Sequence, residues 1–375
     1  MGAGRVCHDF VQALKSIPHA AKVQTVGCRD LKRSNEFADL HGIANRVGTY
    51  EDVAKDPDVE ICYVGMLHPF HYESAVAALQ NGKHVLVEKP STCRESDTKS
   101  LVRLAKEKGL FFMEGMWTRF FPAVENAQKI IESGAIGDVV EVHSDFGVSG
   151  ADLGPYPDAI LYKPELGGGV ILYVAPYPVA AAIQYLGRGP PSRVAAVGVK
   201  DDLTGVDLSC AISLHFKERG GIASLSCSLQ LPLDAHNFGE KPILYDLGTP
   251  KQNQINYQAE SVEETTIIGT EGRIKLLSPA HAPTALEVTK RMGGRGLKET
   301  TRHDFPLPAP PASVEATGGF NYPNSNGFQY EAAAVHKCIR EGRTSSDKYT
   351  PLETLAVIGV LEECRKQLDV DDLGQ

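Results

Sequence analysis

Along roughly the first 135 residues, short apolar runs alternate with segments whose apolar residues recur at helical spacing. The runs are Val23–Val26, Val59–Val64, His84–Val87 and Leu110–Met113. Between them, Val6, Phe10, Val11, Leu14 and Ile17 repeat every three or four positions, as do Ala75, Val76 and Leu79, then Leu101, Leu104 and Ala105. A run that is apolar throughout fits a strand covered on both faces, and the helical spacing fits crossover helices, so the pattern predicts βαβ units and a parallel sheet. Gly82, Gly109 and Gly134 follow the helical segments, where a left-handed cap is wanted.

From Val139 onward the pattern changes to longer strand-like runs, Val139–Phe146, Arg193–Val199, Leu208–Phe216 and Ile222–Leu231. Turns such as Glu218-Arg219-Gly220-Gly221 join them, as in an antiparallel sheet. A helix is predicted over about Val174 to Leu186, and a hairpin region over Thr266–Gly272. Residues 232–263, polar and rich in Asn, Gln and Tyr, read as an insertion, and Phe305 to Pro311 as a proline-rich connector. Two closing helices, about Phe328–Glu341 and Pro351–Leu368, carry apolar faces able to pack back on the first region. The expected division is 1–135 and 136–375.

A chain of 375 residues exceeds what one hydrophobic core usually organises, which agrees with two domains. Lys and Arg total 38 against 47 Asp and Glu, a net charge of −9. That balance repels phosphate backbones and anionic lipid, so neither nucleic acid nor a membrane surface is an expected partner. With neither a run of 18 apolar residues nor a signal-peptide pattern, the expected location is cytoplasmic. The eight cysteines are scattered without Cys-x-x-Cys pairs and read as buried free thiols, and the histidines show no metal-ligand spacing, so no metal is expected.

Chemistry concentrates at predicted strand ends. The run His84–Val87 ends in Glu88-Lys89-Pro90, and the next run leads into Trp117-Thr118-Arg119-Phe120-Phe121-Pro122. Open parallel sheets place ligands at this carboxyl edge. Lys89 would have its pKa lowered by burial and by a nearby cationic ring, letting it exchange a hydroxyl proton; its plainer reading is a strand-end ammonium in water. Trp117, the only tryptophan, would line an apolar substrate wall, and Arg119 either binds an anion or pairs within the fold. Gly2-Ala3-Gly4-Arg5-Val6-Cys7 is similar to the Gly-rich dinucleotide fingerprint, in which Gly2 and Gly4 admit a pyrophosphate to a helix start. Arg29 and Arg33 follow the next strand, one helical turn apart, where arginines accept a 2′-phosphate; a solvated helix start is the alternative. His68 and His71 follow Val64-Gly65-Met66-Leu67, and read as packing or capping imidazoles before catalytic ones.

The Glu88-Lys89-Pro90 and Trp117-to-Pro122 segments resemble the Gfo/Idh/MocA oxidoreductases, specifically the branch of dimeric dihydrodiol dehydrogenases and NADP-dependent D-xylose dehydrogenases. The resemblance implies a Rossmann-like dinucleotide-binding domain followed by an α/β domain with a large, mostly antiparallel sheet whose open face often makes a homodimer. It implies NADP as cofactor, with Gly2, Gly4, Arg29, Arg33, His68, Glu88 and Lys89 around it and Lys89 beside the nicotinamide. The small-molecule substrate would be a trans-dihydrodiol or a D-xylose-like sugar, oxidised at a secondary or hemiacetal hydroxyl. Gly167-Gly168-Gly169 and Tyr173-Val174-Ala175-Pro176-Tyr177-Pro178 resemble family segments in which Tyr177 matches a proton-handling tyrosine. Tyr173 stands in the place of an aspartate and Ala175 in that of a glycine, leaving Tyr173 beside the substrate with Trp117 and Arg119. The family's opening strand has no counterpart, because only Met1 precedes Gly2. The expectation is therefore a sheet lacking its first strand, in a truncated or degenerate chain, with two strand edges exposed, an unanchored phosphate loop, poor dinucleotide binding and a tendency to aggregate. A catalytically silent relative with a binding or regulatory role is the alternative.

Overall fold

The computed structural model describes residues 1–148, 154–218, 220–229, 263–291 and 298–370. The polar 232–262 stretch, and with it nearly all of the expected insertion, lies outside them. The first region runs α1 (Arg5–Leu14), β1 (Thr25–Gly27), α2 (Leu31–His41), β2 (Asn45–Val47), α3 (Tyr50–Lys55), β3 (Ile61–Val64), α4 (His71–Gln80), β4 (His84–Glu88), α5 (Glu95–Lys108), β5 (Phe112–Gly115) and α6 (Pro122–Glu132). Each strand pairing here is parallel: β1 with β2, β3 with β4, and β4 with β5. Val85, Leu86 and Val87 are all buried, which is why β4 reads as an unbroken apolar run. Local chemistry sets the helix ends. Asp30 caps α2 by accepting from the Lys32 and Arg33 amides, and Gly109 ends α5 in the left-handed conformation. The short β2 has half-exposed, polar residues and was not legible as a run.

The parallel strands fall into two groups, β1–β2 and β3–β4–β5. Met1 lies between them. Its amino group donates to the Tyr63 carbonyl (2.8 Å), and its carbonyl accepts from the Gly65 amide (3.0 Å). The next amide, Gly2, donates to the Gly27 carbonyl (2.9 Å). One residue thus ties the turn before α1 to both groups, which corrects the expectation of an unanchored phosphate loop. Tyr63 closes the space further by stacking on Phe10 of α1, ring centroids 3.8 Å apart.

The second region adds β6 (Val139–Gly147), α7 (Val170–Tyr173), α8 (Pro176–Leu186), β7 (Arg193–Lys200), β8 (Asp207–Phe216), β9 (Gly221–Ser228), β10 (Thr265–Gly269), β11 (Gly272–Leu276), β12 (Ala285–Arg291), β13 (Lys298–Asp304), α9 (Ala312–Glu315), α10 (Phe328–Arg340) and α11 (Pro351–Gln367). Eight strands form one sheet in the order β13-β12-β11-β10-β6-β9-β8-β7. It is mostly antiparallel, with β6 and β9 running parallel at its centre. One face of β8 and β9 buries Ile212, Leu214, Ala223 and Leu225; the other leaves Ile222 exposed, together with Val197 and Val199 of β7. The two closing helices return to the first region as their apolar faces predict, α10 against α1 and α11 against α5. No single helix among the described residues is long and apolar enough to cross a membrane.

Glu353, fully buried in the first turn of α11, fastens this return. Its carboxylate accepts from buried Arg119 (2.9 Å) and from half-exposed Arg188 (2.9 and 3.2 Å), and it completes a capping box with Thr350. Burial alone would raise its pKa, but the charge of Arg119 and the hydrogen bond from Arg188 outweigh this and hold it below the ordinary glutamate value. A carboxyl whose folded pKa is depressed stabilises fully above its unfolded pKa of about 4.3 and loses that contribution as pH falls through the folded value. Glu353→Gln is expected to cost about 3–5 kcal/mol at pH 7, because it strands a buried guanidinium, and to narrow the gap from wild type below pH 4. Urea unfolding at the two pH values checks both expectations; equal stabilities at pH 7 would show that the pair contributes nothing.

Candidate active site

The end of β4 is fixed by its neighbours before any side chain reaches into the site. Glu88 sits in register with Gly115, and Val87 with Glu114. The Glu114 carboxylate turns back to accept from the Ser91 amide (2.8 Å) and the Tyr349 hydroxyl (2.6 Å), so the chain after Lys89-Pro90 is held from beneath. Burial, only partly offset by these donors, raises the Glu114 pKa to about 7. His71 has its ring nitrogens 3.0 and 2.8 Å from the Pro90 and Met66 carbonyls, a packing role. Glu88 is also buried and accepts from the Tyr63 hydroxyl (2.7 Å), which ties it to the neighbouring strand.

Lys89 is half-buried, and its ammonium donates to the backbone carbonyl of Tyr173 (2.7 Å). That carbonyl is free because of the local sequence. Pro176 has no amide hydrogen, and the Tyr177 amide, which would serve Tyr173 in a continuous helix, bonds to Val174 instead (3.2 Å). The ammonium also lies 4.6 Å from the Tyr177 ring centroid and 5.4 Å from that of Tyr173. Burial pulls the Lys89 pKa down to about 8 against the opposing pull of Glu88 and Glu114. Tyr177 accepts at its hydroxyl from the Trp117 indole N–H (3.1 Å), while burial and the charge of Glu88 keep the phenol protonated. Trp117 is itself pinned, stacked on Phe328 at 4.1 Å. Lys89, Tyr173, Tyr177 and Trp117, widely spaced in sequence, therefore meet at one point.

The other expected residues divide. Gly2 adopts φ +108°, and a Cβ there would press on Cys7 and on the Gly65 carbonyl, so the turn requires glycine. Gly4 caps α1 with open space around it and no acidic residue in the first turn. Arg29 and Arg33 are exposed; Arg29 stacks 4.3 Å above the Phe70 ring, and Arg33 donates to the Ala3 carbonyl (3.2 Å). Open backbone amides at Gly4 flanked by two exposed guanidiniums fit a phosphorylated dinucleotide. His68 is not available to a cofactor: it is buried against the Gly167 carbonyl (2.8 Å), and burial lowers its pKa to about 3. Gly167 (φ +74°) must be glycine, since a Cβ would lie within 2.5 Å of that imidazole. Arg119 resolves in favour of pairing, its guanidinium committed to Glu353 and the Ala180 carbonyl (2.8 Å).

Sequence reasoning missed a second polar cluster, which also adjoins Tyr177. His281 stacks on Phe146 (5.0 Å), faces Tyr177 (5.3 Å) and Trp117 (5.7 Å), and donates from Nδ1 to the buried carboxylate of Glu263. Glu263 borders the undescribed stretch and His281 lies in a turn further along, with no periodic signal linking the two. His281, Phe146, Tyr177 and Glu263 line a cleft that also reaches Gln184 and Tyr185.

Comparison with known proteins places this geometry. Residues 1–116 match the model of an oxidoreductase family with an NAD-binding Rossmann fold, and residues 124–275 match the GFO/IDH/MocA C-terminal domain. The chain belongs to the Gfo/Idh/MocA oxidoreductase family. Within it, the trans-1,2-dihydrobenzene-1,2-diol dehydrogenase of Oryctolagus cuniculus is 33% identical, over 99% of this chain and 98% of that one. Those of Bos taurus and Homo sapiens are 32% and 30% identical, each over 99% of this chain and 96% of the relative. Among solved structures, a levoglucosan dehydrogenase complexed with NADH and levoglucosan superposes with a TM-score of 0.79 at 19% identity, covering 99% of this chain and 96% of that one. A 3-ketoreductase from Actinomadura kijaniata, complexed with NADP and TDP-benzene, superposes with a TM-score of 0.71 at 20% identity, covering 96% and 93%. The fold of a Gfo/Idh/MocA enzyme, a Rossmann-like half plus a large mixed sheet, is thus present around the Lys89 site.

Proposed function

We propose that this family member is an NADP-dependent dehydrogenase that oxidises a secondary or hemiacetal hydroxyl of a dihydrodiol or sugar. The meeting of Lys89, Tyr173, Tyr177 and Trp117 at the carboxyl edge of a parallel sheet carries the reading. A bound nicotinamide would supply the hydride acceptor. Lys89, with its lowered pKa, takes the proton of the hydroxyl as the carbon–hydrogen bond is lost. Tyr177, kept protonated by burial and aimed by the Trp117 N–H, donates a hydrogen bond to the same oxygen. The Tyr173 carbonyl holds the ammonium in place without neutralising it, while the carboxylate that would help orient the substrate hydroxyl is missing. The alternative of a silent relative rests on that same substitution and is decided by turnover.

Oxidation requires Lys89 in its neutral form, so kcat is expected to rise as pH increases through about 8 and then to level. Lys89→Met is expected to lower kcat by about 10²–10⁴ and to abolish this rising limb. A pH–rate profile with trans-dihydrodiol or D-xylose checks both; undiminished turnover in Lys89→Met would overturn the mechanism, and cofactor binding without turnover of any such substrate would favour the silent relative.

The NADP preference rests on Arg29 and Arg33. Because a guanidinium fork contributes only to the phosphorylated ligand, NADPH is expected to bind more tightly than NADH, and Arg29→Ala to shrink the difference by about tenfold or more. Fluorescence titration of both cofactors measures it, and equal affinities in the wild type would refute the preference.

The exposed face of the second sheet supports pairing of two chains. Val197, Ala211 and Ser226 are aligned across β7, β8 and β9, and Val199 lies beside them, giving a flat, uncharged strip. Light scattering is expected to report a homodimer that Val197→Asp dissociates; a monomeric wild type would remove this element of the proposal.

A further inference from the structure

The cleft bounded by Phe146, Tyr177, Glu263 and His281 carries chemistry that hydride transfer does not use. His281 is 12% exposed at its side chain and Glu263 is 3% exposed, so the imidazole is presented from an otherwise enclosed wall. Glu263 is positioned in turn. Its amide donates to the Asp145 carboxylate (2.8 Å), and its own carboxylate accepts from both the amide and the Nδ1 of His281. The His281 carbonyl is held by the Thr118 hydroxyl, one residue after Trp117. With Nδ1 donating to a carboxylate, the neutral ring carries its hydrogen there and leaves Nε2 as an acceptor. Nε2 has no hydrogen-bond partner among the described residues.

We infer that His281, oriented by Glu263, accepts a hydrogen bond from a substrate hydroxyl other than the one oxidised, and so selects diols and sugars over monohydric alcohols. The inference rests on the dehydrogenase reading above for the identity of the oxidised hydroxyl. Phe146 supplies apolar surface for the carbon ring, and Tyr177 is shared between the two groups, its ring adjoining both the Lys89 ammonium and the His281 imidazole. A substrate that covers Nε2 without supplying the second hydroxyl displaces its water and leaves the acceptor unpaired, which a polar site discriminates against. Family resemblance gave no hint of this pair.

Trp117 supplies a readout independent of turnover, since it is the only tryptophan and lies 5.7 Å from the His281 ring. In the full-length wild type, quenching of its fluorescence is expected to report trans-1,2-cyclohexanediol binding at least tenfold more tightly than cyclohexanol. His281→Phe, which keeps the stacking on Phe146, is expected to lose that preference, and His281→Gln, which restores an acceptor, to recover part of it. Cofactor affinity is expected to stay unchanged in both. A wild-type preference below tenfold, or one that survives His281→Phe, overturns the inference; should His281→Phe fail to fold, a His281→Gln variant with no change in preference from the wild type overturns it equally. Failure to oxidise any alcohol while the diol preference and its loss in the variant persist would sink the dehydrogenase reading and leave the hydroxyl subsite supported.

Discussion

Holding an ammonium at a buried strand end without letting a carboxylate neutralise it is the constraint around which the site is arranged. Lys89 meets it with a backbone dipole. The Tyr173 carbonyl accepts from it at 2.7 Å, and two aromatic faces stand alongside. A carbonyl favours the charged form less than an adjacent carboxylate would, so desolvation dominates and the pKa settles near 8. Glu88 and Glu114, the nearest opposing charges, are themselves occupied by Tyr63 and by Ser91 and Tyr349. Their attraction tempers the shift without cancelling it.

That arrangement requires the second half of the chain to be placed accurately against the first, and several separate contacts do so. Asp9 of α1 accepts from the Asn321 and Tyr322 amides (2.9 and 3.0 Å), and Gln12 donates to the Val314 and Gly319 carbonyls (3.1 and 3.0 Å). Phe10 and Trp117 both pack on Phe328. His68 reaches from the end of β3 to Gly167, directly ahead of α7. The buried hydrogen bonds specify position, and the aromatic contacts supply the burial that holds it. This division explains why residues far from Lys89 in sequence control its surroundings.

Much of this was legible without coordinates. The unbroken apolar runs located β3 to β5, and the longer runs located β6 to β9, each to within a few residues, because strands covered on both faces or alternating in burial leave an unambiguous pattern. The Glu88-Lys89-Pro90 end and the Trp117 turn were recognisable because their chemistry is compressed into neighbouring residues. What escaped is non-local. Arg119 could not be assigned between substrate and fold because Glu353 lies 234 positions away, and the Glu263–His281 pair links two loops with no shared periodicity. The anchoring of the Gly2 turn also escaped, since it depends on main-chain bonds of Met1 and Gly2 that no side-chain pattern encodes.

The substitution at position 173 then reads differently from a simple loss. By the resemblance, an acid at this position would help orient the substrate hydroxyl, a part that the tyrosine side chain does not copy. Here the backbone of Tyr173 holds the lysine, made available by the break between α7 and α8 that Pro176 enforces, so the side chain is released from that duty. A further carboxylate-backed polar group adjoins Tyr177, where Glu263 sets His281. Charge that one strand-end cluster would have concentrated is divided between two walls. In the proposed mechanism the wall at Lys89, its pKa lowered by desolvation, takes the proton, and in the proposed subsite the wall at His281, set by a carboxylate, directs a hydrogen bond. On that reading, separating the two lets the lysine keep its lowered pKa while the cleft still presents a polar surface to the proposed hydroxylated ligand.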